Sequence, residues 1–183
     1  MSIHSDNSKV MFISSRQTRQ LVQSYTEIPY HDSVINSCLS GKLLGVTVNN
    51  SLSWRGHIET VIKKCNTYLY SWSRIKLYLS TDNRKRFYNA YILPHFDLCC
   101  VIWGNCTHYL EEKLVRLQKR AARVIIDCDV YTPSSTMFSD LELMSFPERV
   151  IYIKSIQMLK TIRGDAPEYL RSLFTFAYIY IYL

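Results

Sequence analysis

Hydrophobic positions change their rhythm about a third of the way along the chain. In the first fifty residues they come in short runs. Lys9–Ser14 (KVMFIS) is one, ended by polar residues, and its composition predicts a strand. Residues 15–33 are mostly polar, contain Thr26 and Pro29, and predict a loop or a weak strand. Leu43–Val48 (LLGVTV) predicts a second strand, rich in β-branched side chains and closed by the turn formers Asn49 and Asn50. From Trp54 the spacing becomes helical. Ile58, Val61, Ile62, Cys65, Leu69 and Trp72 recur at three and four residues, which places them on one face of a long amphipathic helix.

The helical rhythm then persists. Ser80, Thr81 and Asp82 are good capping residues and open a second helix, which Pro94 should kink or break. The apolar stretch from Ala90 to Trp103 is too short to span a bilayer and carries Pro94, His95 and Asp97, so it predicts a buried helix. A third long helix runs from about His108 to Asp127. Ser145-Phe146-Pro147-Glu148 is a capping box that opens a fourth, with Val150, Ile153, Met158 and Ile162 expected in its buried face. Gly164 ends that helix, and Asp165-Ala166-Pro167-Glu168 opens a short fifth. Residues 134–143 suit a further short helix. The expected fold is mainly α, a helical bundle preceded by a small two-strand β remnant. Residues 177–183 (AYIYIYL) form an uncharged apolar tail with the composition of an aggregation-prone strand.

Composition narrows the class. At 183 residues and 48% hydrophobic, with 5 Gly and 5 Pro, the chain supports one core-bearing domain and excludes a disordered one. The six cysteines carry no secretory context, which favours free thiols and an intracellular protein, nucleus or cytoplasm left open. The net charge of +7 is uneven. Residues 51–126 hold 13 basic and 5 acidic groups, for +8, whereas residues 1–50 carry +1 and residues 127–183 carry −2. A basic middle suits a polyanionic partner and gives no reason to expect a membrane or a small-molecule substrate.

The helix over 108–127 concentrates this charge. At 100° per residue Leu114, Leu117, Ala121, Val124 and Ile125 share one arc. Lys113, Arg116, Arg120 and Arg123 share another, with Lys119 at its margin. Stacked cations match a phosphate backbone; a solvated face supported by a Glu112–Arg116 pair explains them as well. Arg84-Lys85-Arg86 and Lys63-Lys64 could extend the surface, and nearby Tyr and Trp could stack on bases.

Other chemistry is weakly signalled. Cys99, Cys100, Cys106 and His108 match no structural zinc spacing, and Cys99 and Cys100 read as small core residues. His57 and His95 read as caps or core polar groups. Glu111/Glu112 and Asp127/Asp129 lack a basic or nucleophilic companion, and no nucleophile elbow, phosphate loop or zinc-protease motif occurs.

Five stretches in order resemble the C-terminal part of the reverse transcriptase of jockey-type non-LTR retrotransposons, over residues 9–176 or so. They are Lys9-Val10-Met11-Phe12-Ile13-Ser14-Ser15-Arg16-Gln17, Lys42-Leu43-Leu44-Gly45-Val46-Thr47-Val48 through Trp54-x-x-His57-Ile58, Leu93-Pro94-His95-Phe96-Asp97-Leu98-Cys99 with Val101-Ile102-Trp103-Gly104-Asn105, Leu117-Gln118-Lys119-Arg120-Ala121-Ala122-Arg123-Val124-Ile125, and Ala166-Pro167-Glu168-Tyr169-Leu170. The resemblance implies that residues 1–50 are the end of a palm, with Leu44, Gly45 and Val46 at a primer-grip-like position. Residues 51–176 would be a thumb-like region lying against an RNA or DNA duplex, which fits the basic arc of Lys113, Arg116, Lys119, Arg120 and Arg123. Such enzymes hold two Mg²⁺ ions on palm aspartates. The resemblance places those aspartates ahead of residue 1, no Asp-Asp pair occurs here, and the usual acidic residue after the Val-Thr-Val strand is Asn49. The expectation is therefore a non-catalytic fragment without a cofactor, at most a nucleic-acid binder, its oligomeric state open. A helical protein-interaction module and the inert product of a decayed element are the alternatives.

Overall fold

The structure is a computed structural model describing residues 8–15, 17–18, 27–30 and 33–174. The residue 177–183 tail lies outside the described residues. Two small antiparallel hairpins precede the helices. β1 (Glu27–Tyr30) pairs with β2 (Ser33–Asn36), and β3 (Ser40–Leu43) pairs with β4 (Val46–Asn49). Then come α1 (Arg55–Ile75), a 3₁₀ turn at Lys76–Tyr78, α2 (Thr81–Tyr91), α3 (Leu93–Asp97), α4 (Cys100–Trp103), α5 (His108–Ile126), α6 (Ser134–Asp140), α7 (Phe146–Arg163) and α8 (Glu168–Arg171). The mainly helical fold with a small β entry is the one the hydrophobic rhythm predicts.

The strands fall elsewhere than predicted. Leu43–Val48 is not one strand but the tip of a hairpin. Leu43 pairs with Val46, and Leu44 and Gly45 between them both have positive φ, 47° and 92°, as a tight two-residue turn requires. β-branched content signals strand there, but Gly45 marks the reversal. β1 and the start of β2 arise inside the polar stretch, where Pro29 is tolerated because β1 is an edge strand. Among the described residues Lys9–Ser14 forms no strand: Val10 bridges Ser37 and the Ser14 N–H donates to the Asn50 carbonyl. β2 and β3 spend their ladders within their own hairpins, so this segment finds just the junction between them. β4 docks on α1 with Val46 buried and Val48 against the core.

The apolar stretch from Ala90 to Trp103 is not one buried helix either. It divides into the end of α2, then α3 with Pro94 in its first turn, then α4 after Cys99 in the left-handed region at φ 54°. Trp103 Nε1 donates to the Leu98 carbonyl at 2.7 Å and seals the second break. Gly104 follows because nothing larger fits: an added Cβ would lie 2.4 Å from the Cys100 oxygen and 2.8 Å from Val150.

α5 is the central helix, packed on α1, α2, α6 and α7. Its buried side chains are Leu110, Leu114, Leu117, Ala121 and Ile125, and also Gln118 and Ala122 on a second side. Around it Trp72, Tyr88, Phe96, Trp103 and Phe146 fill the core, with Trp103 stacked on Phe146 at 5.5 Å and Trp72 on Phe87 at 5.1 Å. Gln118 is the polar group inside this core. Its amide donates to Tyr88 Oη at 3.1 Å and to the Met144 carbonyl at 2.7 Å, and its carbonyl accepts the Phe146 N–H at 2.9 Å. That N–H is one of the donors that a helix start leaves unpaired, so Gln118 helps cap α7 while binding α2 to it. Glu148 completes the capping box predicted from sequence by accepting from the Ser145 N–H and hydroxyl, both at 2.8 Å. A bidentate Asp97–Arg149 pair, 2.7 and 2.6 Å, ties α3 to α7. Farther along, α7 loses its cover: Val150 is buried, Ile153 and Met158 are half-buried, and Ile162 is exposed, contrary to the expectation of a continuous buried face. The apolar cluster takes Phe146, Val150 and Ile153 from its first half, while in its second half the buried side chain is Thr161.

His57, on α1, closes the junction with the hairpins. It is buried, edge-on to Trp103 at 5.2 Å, and its Nδ1 accepts the Thr47 N–H at 3.3 Å. That Nδ1 therefore carries no proton. His95 instead stacks on Tyr68 at 5.8 Å.

Two predictions follow from these contacts. Gln118→Ala leaves the Phe146 N–H and Met144 carbonyl unpaired and opens a small cavity, so it should cost roughly 2–4 kcal/mol in urea unfolding. A loss below about 0.5 kcal/mol would show that water replaces the amide without penalty. Burial, and then Lys64, lower the pKa of His57. The unfolded chain thus protonates at a higher pH than the fold, so the contribution of His57 is complete above about pH 6.5 and drains as the pH drops below it. Stability should decline on acidification through this window, and less steeply in His57→Gln. Some slope remains because His95 is shifted in the same direction, also by burial.

Candidate nucleic-acid interface

α1 and α5 lie side by side and run in the same direction. Asn66 Oδ1 accepts from Arg120 Nη1 at 3.0 Å, and farther along Lys76 pairs with Asp127. Between these two helices is an open groove of about 740 Å³. Glu59, Lys63, Asn66, Thr67 and Tyr70 line it from α1, a set spaced four, seven, eight and eleven residues apart and so on one helical face. Lys113, Arg116 and Arg120 line it from α5, and Ile62 and Leu117 make its floor.

The five cations predicted on α5 therefore divide. Lys113, Arg116 and Arg120 share the groove with Lys63. Lys119 and Arg123 are half-buried and do not line it, and the Arg123 Nε is buried without a hydrogen-bond partner. The reason is the second buried side of α5. With Gln118 and Ala122 enclosed, their neighbours Lys119 and Arg123 sit at the edge of a packed face, not on an open one. Arg116 donates to Glu112 at 2.9 Å, the pair anticipated from their spacing, yet its side chain stays 71% exposed. An exposed pair of this kind contributes only about 0.3–0.5 kcal/mol and leaves the guanidinium competent for another anion. Lys113 lies 4.5 Å from the centroid of the Tyr109 ring.

Other basic residues are structural. Arg84 donates from Nε to the Leu79 carbonyl at 2.9 Å and from Nη1 to the Ile125 carbonyl at 3.1 Å, closing the C-terminal end of α5. Lys85 lies 3.7 Å from Glu142. Lys76 holds Asp127, the left-handed residue that ends α5, and by that hydrogen bond lowers its carboxyl pKa. Lys64 is not among the residues that line the groove; after burial, its charge lowers the pKa of both His57 and His95.

The primer-grip-like trio separates too. Leu44 is 86% exposed at the hairpin tip and Val46 is buried, while a Cβ on Gly45 would lie 3.1 Å from Leu98. The carboxylates discounted as acid–base groups have partners: Glu111 and Glu112 lie beside His108, and Asp129 accepts the Val130 N–H. Cys100 is buried and Cys99 half-buried. Among the described residues no cluster of three or more His, Cys, Asp or Glu is placed to hold a metal ion. Among them, too, no helix is long and apolar enough to cross a membrane.

Over 109 residues, 57% of the chain, the sequence is 28% identical to a Drosophila melanogaster protein named "Probable RNA-directed DNA polymerase from transposon X-element". Over 120 residues, 64% of the chain, it is 25% identical to "Probable RNA-directed DNA polymerase from transposon BS" of the same organism. The matched parts are 12% and 13% of those proteins, so the chain spans about an eighth of the relatives it matches. No protein-family model and no solved structure matches the chain. The similarity is thus distant and partial, and it falls on RNA-directed DNA polymerases of transposons.

Proposed function

We propose that this chain is a non-catalytic piece of a jockey-type retrotransposon RNA-directed DNA polymerase, from its C-terminal part, and that it contacts template–primer nucleic acid through the α1/α5 groove. In this reading residues 1–50 are the end of a palm, with Leu44 at a primer-grip-like tip, and residues 51–176 are a thumb-like region. The observation that carries the reading is the convergence of Lys63, Lys113, Arg116 and Arg120 on one open groove, in a chain distantly similar to proteins named as probable RNA-directed DNA polymerases of transposons. Phosphates held there would displace condensed counterions, and recognition would follow backbone shape and charge, not base sequence.

A second reading, a protein-interaction module, draws on a different surface. Ile151, Leu159 and Ile162 are exposed apolar side chains on α7, and Tyr169 and Leu173 are exposed on and after α8. Apolar side chains left open at this density suit a protein partner.

Fluorescence anisotropy with a recessed template–primer separates the readings. If four phosphates are contacted, log K should fall with log salt at a slope of about −3.6 for B-form DNA. Arg116→Glu/Arg120→Glu should weaken binding for every sequence and flatten the slope by about 2. Binding that ignores salt, or survives the double reversal, would reject the groove as the contact. In a primer-extension assay the purified chain should incorporate no nucleotide with Mg²⁺ present. Incorporation above a no-enzyme control would overturn the non-catalytic assignment.

A further inference from the structure

The groove has a feature that a phosphate backbone alone does not use. Its floor is apolar: Leu117 is buried, Ile62 is half-buried, and both face the opening between the helices. Tyr70 stands on the α1 wall with 68% of its surface exposed, and the Arg74 guanidinium lies 6.0 Å from its ring centroid. Cations occupy both walls, Lys63 on α1 and Arg116 and Arg120 on α5, while Glu59 is the one acidic side chain among the lining residues. A rim of cations is enough to hold the outside of a duplex, whose bases are already stacked on each other. An unpaired base gains from the floor and the aromatic ring as well, since stacking on an aromatic side chain is tolerant of sequence. An acidic peptide would use the rim and leave the floor empty. The dimensions agree: Lys113 to Arg120 spans about 10 Å of helix, the rise of about three stacked nucleotides at 3.4 Å each.

We propose that the α1/α5 groove is a single-strand site. An unpaired stretch of RNA or DNA lies along it, one base on Ile62 and Leu117 and another against Tyr70, eight residues and about 12 Å farther along α1, with the intervening phosphates on Lys63, Arg116 and Arg120. This rests on the nucleic-acid contact proposed above and adds that the unpaired strand, not the duplex, fills the groove. Tyr70 is the specificity-determining residue, because its ring is the one aromatic side chain among the lining residues on which an unpaired base can stack.

The test uses the full chain, with a dye-labelled oligothymidylate and a blunt duplex of equal length as probes at one ionic strength. The single strand should bind more tightly than the duplex. Tyr70→Ala should weaken single-strand binding at least about fivefold, Tyr70→Phe should restore it, and duplex binding should change less than about twofold in either variant. Tyr70 is a surface residue, and circular dichroism confirms that each variant keeps its helices. A duplex bound as tightly as the single strand, or a Tyr70→Ala variant with unchanged single-strand affinity, overturns the single-strand site while leaving nucleic-acid contact in place. If neither probe binds, both proposals fall. Displacement of the oligonucleotide by an equal concentration of oligoglutamate would assign the groove to an acidic peptide instead.

Discussion

The hydrogen bonds of Gln118 tie α5, one wall of the groove, to α2 and to the start of α7. A buried amide has two donors and an acceptor to satisfy, and here all three bonds go to different elements: Tyr88 on α2, Met144 before α7 and the first N–H of α7 itself. An apolar residue of similar size would fill the same volume but could not dictate which turn of α7 meets α5. The amide therefore fixes register as well as contributing energy, and the aromatic layer around it follows that register. Phe146, whose N–H Gln118 accepts, places its ring against Trp103 and Phe96. Tyr88, bound through its hydroxyl, is so enclosed that burial pushes its pKa up to about 12, which keeps the phenol a neutral partner across the working range of pH.

Once α5 is central, most of its circumference is consumed by packing and its polar side chains compete for what is left. That competition explains why net charge overstates the surface available to a polyanion. Arg84 closes a helix end, Lys76 and Lys85 answer single carboxylates, and Arg123 is partly enclosed. The cations that line the groove beside the parallel α1 are held only by surface bonds, Arg116 to Glu112 and Arg120 to Asn66, above the packed seam between the two helices. Cationic residues of this second kind are the ones that a phosphate could recruit without breaking the fold.

The long helices are legible in the sequence because each carries its own instructions, whereas the break at Cys99 that separates α3 from α4 has no such local signal. Apolar side chains at three- and four-residue spacing define α1 and α5, the Ser145–Glu148 box starts α7, and Gly164 ends it. Leu44-Gly45 was misread as strand interior because β-branched neighbours outweigh one glycine in any local scale, although the glycine decides the geometry. β1 is half legible: Glu27–Tyr30 lies in the polar stretch that reads as a loop or weak strand, because Glu27 and Pro29 dilute the β character of Ile28 and Tyr30 and the pairing depends on β2 following immediately. The site was half legible. Periodicity found the cations of α5, but the helical wheel does not reveal that α1 lies parallel to it, so Asn66, Thr67 and Tyr70 had no reason to stand out. Nor does it reveal that Gln118 and Ala122 would be buried, which removes Lys119 and Arg123 from the open face.

The groove differs from the hairpin tip in how much of its shape is fixed in advance. Its walls are two helices of 21 and 19 residues, tied to each other by Arg120–Asn66 in the middle and Lys76–Asp127 near their ends. A ligand entering it would order a few lysine and arginine side chains but no backbone, and side-chain ordering costs only about 0.5–1.5 kcal/mol for each long side chain immobilised. Leu44 sits instead on a two-residue turn at positive φ, projecting from a hairpin of two four-residue strands whose docking depends on Val46, His57 and the space at Gly45, where a Cβ would crowd Leu98. A surface that must hold a charged polymer in one path needs the first arrangement. The second suits a tip that adjusts to what it meets, and the resistance of the two regions to local unfolding should differ accordingly, with α5 amides opening only in global unfolding and hairpin amides exchanging through local release.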